Sequence, residues 1–194
     1  MCSDNPTRAC FAVYDTYERG SGSKLNLSKS KGLWFGPWAN RSDPPVALEW
    51  SPVKIKVLSV FLGPGNLDDD NWKPDIAAVE NSLSSWRQCI LSFRGRALVI
   101  NVLALSLVSY LASLIHMPPF VLGELLRLVF SFFWKGKKDL VAPTVVVQAS
   151  SVGGFSVVDV KLKVQSLLVQ WVRRFVTAQS SWSAFVRFWF HSVL

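Results

Sequence analysis

The chain is predicted to be α+β, with one helix and a few short strands first and a mostly helical bundle after them. Three observations predict this. Before residue 65, apolar runs are short and bounded by Gly and Pro; after it, apolar residues recur every three or four positions. Half of the 194 residues are hydrophobic, including 13 Phe and 9 Trp, so a buried core is within reach. The texture changes at Gly63-Pro64-Gly65, which divides the chain into 1–65 and 66–194.

Asp4-Asn5-Pro6 supplies a cap and a proline at the first helical position. Cys10, Val13, Tyr14 and Tyr17 then share one face, and Gly20-Ser21-Gly22 closes a helix over about 6–19. Lys24 to Lys31 and then Leu33-Trp34-Phe35-Gly36, short apolar runs bounded by Gly and Pro, suggest small strands, and 37–52, with Asp43 and four prolines, reads as a loop. Ile55 to Leu62 reads as another strand.

Asp68-Asp69-Asp70-Asn71 is an acidic helix start, favourable against the positive end of the helix dipole. Trp72, Ile76, Val79, Leu83 and Trp86 carry that helix to about Arg87, with Pro74 tolerated near its first turn. Ala97 to Met117 is the most apolar stretch, and Pro118-Pro119 ends it and starts a helix over 120–134. Lys135-Gly136-Lys137-Lys138 reads as a basic turn. Val145-Val146-Val147 and Phe155-Ser156-Val157 read as short strands, Asp159 as the cap of a helix bearing Leu162, Leu167, Leu168, Trp171, Val172 and Phe175, and 181–191 as a last aromatic helix.

Charged residues make up only 18% and mean hydropathy is +0.28, a balance too apolar for a disordered tail. It implies apolar surface that meets the rest of a protein, another chain or a membrane. The net charge of +8 favours polyanions, nucleic acid or an anionic membrane, because neutralised phosphates release counterions. Cys2, Cys10 and Cys89 are too widely spaced for a disulfide framework or a ligand pair, so a reducing compartment is expected. His116 and His191 stand apart from them, so no metal site is expected. Met1 to Arg8 lacks the composition of a secretory signal. Ala97 to Met117 is long enough to span a bilayer and follows Arg94 and Arg96. Asn101, Ser106, Ser109 and Ser113 give it a mildly polar side, and the next helix carries Glu124 and Arg127, which favours a buried helix pair.

Several pieces occur in a telling order. These are Ser21-Gly22-Ser23-Lys24-Leu25-Asn26-Leu27-Ser28-Lys29-Ser30; Ile55-Lys56-Val57-Leu58-Ser59-Val60-Phe61-Leu62-Gly63; and Asn71-Trp72 with Trp86. Leu91-Ser92-Phe93-Arg94-Gly95-Arg96 before an apolar helix, Pro118-Pro119, Phe132-Phe133-Trp134-Lys135-Gly136-Lys137 and Gly153-Gly154-Phe155 follow. The set, over about 14–176, resembles the reverse transcriptases of non-LTR retrotransposons downstream of their catalytic Asp-Asp pair. The resemblance makes 1–65 the end of a palm with primer-grip-like strands, in which Ser59 stands where the family typically has Gly, and 66–194 a thumb-like helical domain.

The same resemblance implies that the carboxylates binding two metal ions, Mg in an intact family enzyme, precede residue 1. No Tyr- or Phe-x-Asp-Asp occurs in the chain, and Asp68-Asp69-Asp70 is a helix cap and not a metal site. No catalytic residue and no cofactor are therefore expected. A Gly-x-Ser-x-Gly elbow and a P-loop are also missing from the sequence. What remains is sequence-independent contact with nucleic acid through Lys24, Lys29, Lys56, Arg94, Arg96, Lys135, Lys137 and Lys138. Lys29 matches the family's lysine near the incoming nucleotide. Expected partners are nucleic acid or a preceding polymerase part, in the nucleus or cytoplasm. The alternatives are a small membrane protein spanning with 97–117 and a protein-interaction module.

Overall fold

The structure, a computed structural model, describes residues 5–177, 182–184 and 186–188. The Asp4 cap, Cys2 and parts of the expected helix at 181–191 lie outside the described residues; within the latter, 182–184 and 186–188 are helical. The chain forms two compact units, Met1–Asp70 and Asn71–Leu194. The α+β expectation holds: the strands are all three residues long, and the rest of the regular structure is helical.

The first unit opens with α1 (Asn5–Ser21). Its Val13, Tyr14 and Tyr17 face solvent, so the apolar face read from the sequence is not packed. Gly22, at φ +70°, donates to the Glu18 carbonyl and turns the chain out of the helix. Two small sheets follow. β1 (Lys31–Leu33) pairs in parallel with β2 (Glu49–Ser51), Gly32 opposite Trp50. The loop expected over 37–52 therefore contains a strand, and Gly36–Trp38 forms a 3-10 turn. Local loop composition could not reveal β2, because its partner lies 18 residues earlier by register. β3 (Ile55–Val57) and β4 (Val60–Leu62) form an antiparallel hairpin where one strand was expected. Leu58 and Ser59 make the turn at φ +47° and +70°, which matches strand twist but strains non-glycine residues.

The second unit is built on α2 (Asp68–Arg87), whose first turn begins just before the boundary. Trp72, Ile76, Val79 and Leu83 are buried as their spacing predicts, but Trp86 is 38% exposed and lies off the core face. Pro74 sits deeper than expected, inside the helix at its second turn. The apolar stretch is not one uniform helix. α3 (Phe93–Val99), capped by the Ser92 hydroxyl, runs through a π turn at Ile100–Ala104 into α4 (Leu105–Ala112). The π turn carries Asn101, whose amide donates to the Ser156 carbonyl at 2.8 Å and accepts from Val158 N–H at 2.9 Å.

α5 (Pro119–Phe133) starts on a proline at its first position and buries Val121, Leu125, Leu128, Val129, Phe132 and Phe133. Both strands expected after it are overturned. Pro143–Val146 is a short helix, α6, and 155–157 is irregular backbone. The Val146 carbonyl accepts from both Phe155 and Val157 N–H, so tertiary contacts override the β-branched preference. α7 (Val160–Thr177) begins as predicted, with the Asp159 carboxylate accepting from Leu162 N–H. Phe93, Phe133, Trp134 and Phe155 form an aromatic cluster with ring centroids 4.9–5.5 Å apart.

Candidate nucleic-acid interface

In the first unit, Lys24 is exposed just past the end of α1. Lys29 is exposed in a turn built on Asn26, whose side-chain oxygen accepts from Lys29 N–H at 3.1 Å and from the Ser28 hydroxyl at 2.7 Å. That turn fixes the backbone of Lys29 and leaves its ammonium in water. Lys56 stands opposite Phe61 across the hairpin, its ammonium 5.2 Å from the ring centroid, and Lys54 lies 5.1 Å from the same ring. Lys54 is committed to Asp70 at 2.7 Å. That ion pair and the bond from Asp68 N–H to the Asn66 side chain show the acidic run working as a helix start.

In the second unit the two arginines of Arg94-Gly95-Arg96 have different fates. Arg94 is exposed on the first turn of α3. Arg96 is half-buried; it stacks 4.6 Å over the Phe93 ring and donates to the carbonyls of Leu91 and Phe133. The Phe133 carbonyl ends α5, where a cation also meets the negative end of the helix dipole. Arg96 is thus a clamp on the α5 terminus, and Arg94 is the member of the pair left exposed to solvent. Gly95 supports that arrangement by donating to the Ser92 hydroxyl.

The basic turn follows that terminus directly. Gly136 N–H reaches back to the Ser131 carbonyl at 2.7 Å, and Lys135 and Gly136 lie at φ +54° and +72°. Lys135 thus occupies a left-handed position usually given to glycine, and Lys135, Lys137 and Lys138 are all exposed. Lys137 lines a groove of about 720 Å³ together with Arg127, Ser131, Asp139, Asp159 and Lys161. Beside it a smaller cleft of about 150 Å³ lies between α2 and α5, with Leu83 and Leu128 as its apolar lining. Arg127 and Ser131 belong to both. The sequence reading missed Arg87, Arg127 and Lys161; only their places on helices brought together by the fold reveal them.

Two carboxyl groups are displaced from their ordinary range. The Arg41 guanidinium bonded to Asp43 at 2.8 and 2.9 Å holds its carboxyl low, while burial pushes that of Asp75 up. Neither lies in the basic groove.

No family model matches the chain. It is 28% identical over 172 residues to the Transposon TX1 uncharacterized 149 kDa protein of Xenopus laevis. The match covers 86% of this chain and 13% of that protein, and it supports a transposon-related origin.

Proposed function

We propose that the chain is the palm end and thumb of a non-LTR retrotransposon reverse transcriptase and that it holds nucleic acid by its backbone without joining nucleotides. The observation that carries this reading is the ordered set of motifs over about 14–176, on a chain that matches a transposon protein over 172 residues. Exposed lysines on the Lys135–Lys138 turn, with Arg94, suit phosphate contacts that carry no sequence information. The hairpin lysine Lys56, beside Phe61, suits the same task in the first unit. The 194 residues themselves carry no Tyr- or Phe-x-Asp-Asp, so in this reading Lys29 has no two-metal reaction within them to assist.

Fluorescence anisotropy with single-stranded and duplex oligonucleotides tests this. About three phosphate contacts on duplex give a log–log salt slope near −2.7, or roughly a 40-fold loss of affinity between about 50 and about 200 mM salt. Changing Lys135, Lys137 and Lys138 together to Ala should flatten that slope, and equal affinity at both salt concentrations would sink the binding half. Incorporation of nucleotides on a primed template with Mg would overturn the non-catalytic half.

A second reading has one observation in its favour. Phe93–Ala112 is long and apolar enough to cross a membrane by length and composition, and 44% of its apolar window is buried in the fold. Retention of the expressed chain in the membrane pellet after carbonate extraction would favour it.

A further inference from the structure

We propose that the cleft between α2 and α5 is a binding site for one phosphate group, presented as a phosphodiester or as a free phosphate. Arg87, at the last position of α2, donates to the Ser131 hydroxyl at 2.7 Å, so its guanidinium is already held across the two helices. Arg127 lies one helical turn before Ser131 on α5 and lines the same cleft, with Ser84 one turn before Arg87 on α2. Two arginines and two serines therefore line about 150 Å³ of space, with the Arg87 guanidinium and the Ser131 hydroxyl already joined there. Guanidinium groups recognise phosphate oxygens in pairs, and serine hydroxyls can donate to the remaining ones.

Competition for these cations is modest. Arg127 meets Glu124 only at 3.8 Å, with both side chains largely exposed at 64% and 49%. Glu80 is the carboxylate lining the cleft, and it opposes an anion there. That opposition gives the site a signature: removing the Glu80 charge should tighten phosphate binding, an effect that a purely structural cluster would not produce. The cleft shares Arg127 and Ser131 with the groove that holds Lys137. A phosphodiester seated in it therefore continues toward the lysine turn, so as a backbone subsite it rests on the nucleic-acid reading above; as a free-phosphate site it stands alone.

The test is an NMR titration of the full chain with inorganic phosphate against chloride at matched ionic strength, following the amides of Ser84, Arg87 and Ser131. Phosphate should move these signals saturably and chloride should not. Arg127→Gln, an exposed change that keeps the Arg87–Ser131 bond, should weaken phosphate about tenfold; Glu80→Gln should tighten it several-fold. A parallel oligonucleotide titration separates the sources. Displacement of phosphate by oligonucleotide, and a salt slope reduced by about one in Arg127→Gln, assign the site to a backbone phosphate. Phosphate binding with no oligonucleotide binding leaves the site intact as one for free phosphate and removes the nucleic-acid reading. Identical responses to phosphate and chloride, or phosphate affinity unchanged in both Arg127→Gln and Glu80→Gln, overturn the site itself.

Discussion

The two units are held together by different physics. Among the described residues of the first unit, the buried apolar side chains are Trp34 and Val60. Trp34 stacks on Trp50 at 4.2 Å, and Arg41 lies 5.6 Å from the Trp34 ring and 5.2 Å from that of Trp38 while its guanidinium is bonded to Asp43. Ring stacking and a cation over aromatic faces do there what layers of aliphatic side chains do in the second unit. The second unit buries successive turns of α2, α3, α4 and α5. The lesson is that an aromatic-rich sequence can reach order by two routes. One is local and depends on a few contacts, and the other is spread over many.

The sharpest way to break the contrast is a pair of substitutions. Phe133→Ala removes a side chain with no exposed surface and three aromatic neighbours, so it should cost about 3–5 kcal/mol in urea unfolding. Gly32→Ala places a methyl group on the Trp50 ring across the β1–β2 pair. It should abolish the near-UV circular dichroism of the Trp34–Trp50 stack with a smaller effect on global stability. A global loss as large as that of Phe133→Ala would show that the distinction between the units is false.

Next in size is the comparison within Arg94-Gly95-Arg96. Arg96→Ala leaves the Phe133 carbonyl without its guanidinium and should lower stability by about 1–3 kcal/mol. Arg94→Ala should stay within about 0.5 kcal/mol while weakening oligonucleotide binding. Equal stability of the two variants would remove the clamp from Arg96.

The smallest effects concern acid, and their signs differ between the units. Asp43 in the first unit is held low by Arg41, so its contribution is present above the unfolded carboxyl range and fades as pH falls through its lower folded value. Asp75 in the second unit is pushed up by burial, so its carboxylate opposes folding above its raised value and that penalty disappears on acidification. At neutral pH, Asp75→Asn should therefore raise the urea midpoint and Asp43→Asn should lower it slightly. Both differences should vanish in acid below the ordinary carboxylate range. A shift of the same sign for both would contradict the assigned causes.

Helices were the most legible part of the sequence because their signals are local and redundant. Trp72, Ile76, Val79 and Leu83 repeat one face, and Pro118-Pro119 and Asp159 mark boundaries by their own backbone chemistry. The short strands were less legible. Leu58-Ser59 carries no Gly or Asn, so the hairpin turn between β3 and β4 gave no turn signal and the two strands read as one. Val145-Val146-Val147 has the composition of a strand, but Pro143 starts a helical turn and the Val146 carbonyl is taken by Phe155 and Val157. The basic turn at Lys135–Lys138 was visible as a charge run, whereas Arg87 and Arg127 lie 40 residues apart and gave no linear signal.

By itself, the sequence determined the order of helices, the basic balance and the motif order that resembles a retrotransposon polymerase. Each of these is a matter of residue type and near-neighbour spacing. Only the tertiary structure decided which cations remain available. Arg94 and Arg96 are two residues apart and chemically identical, yet one faces water and the other closes the end of α5, because a guanidinium goes to the unpaired carbonyl that packing brings beside it.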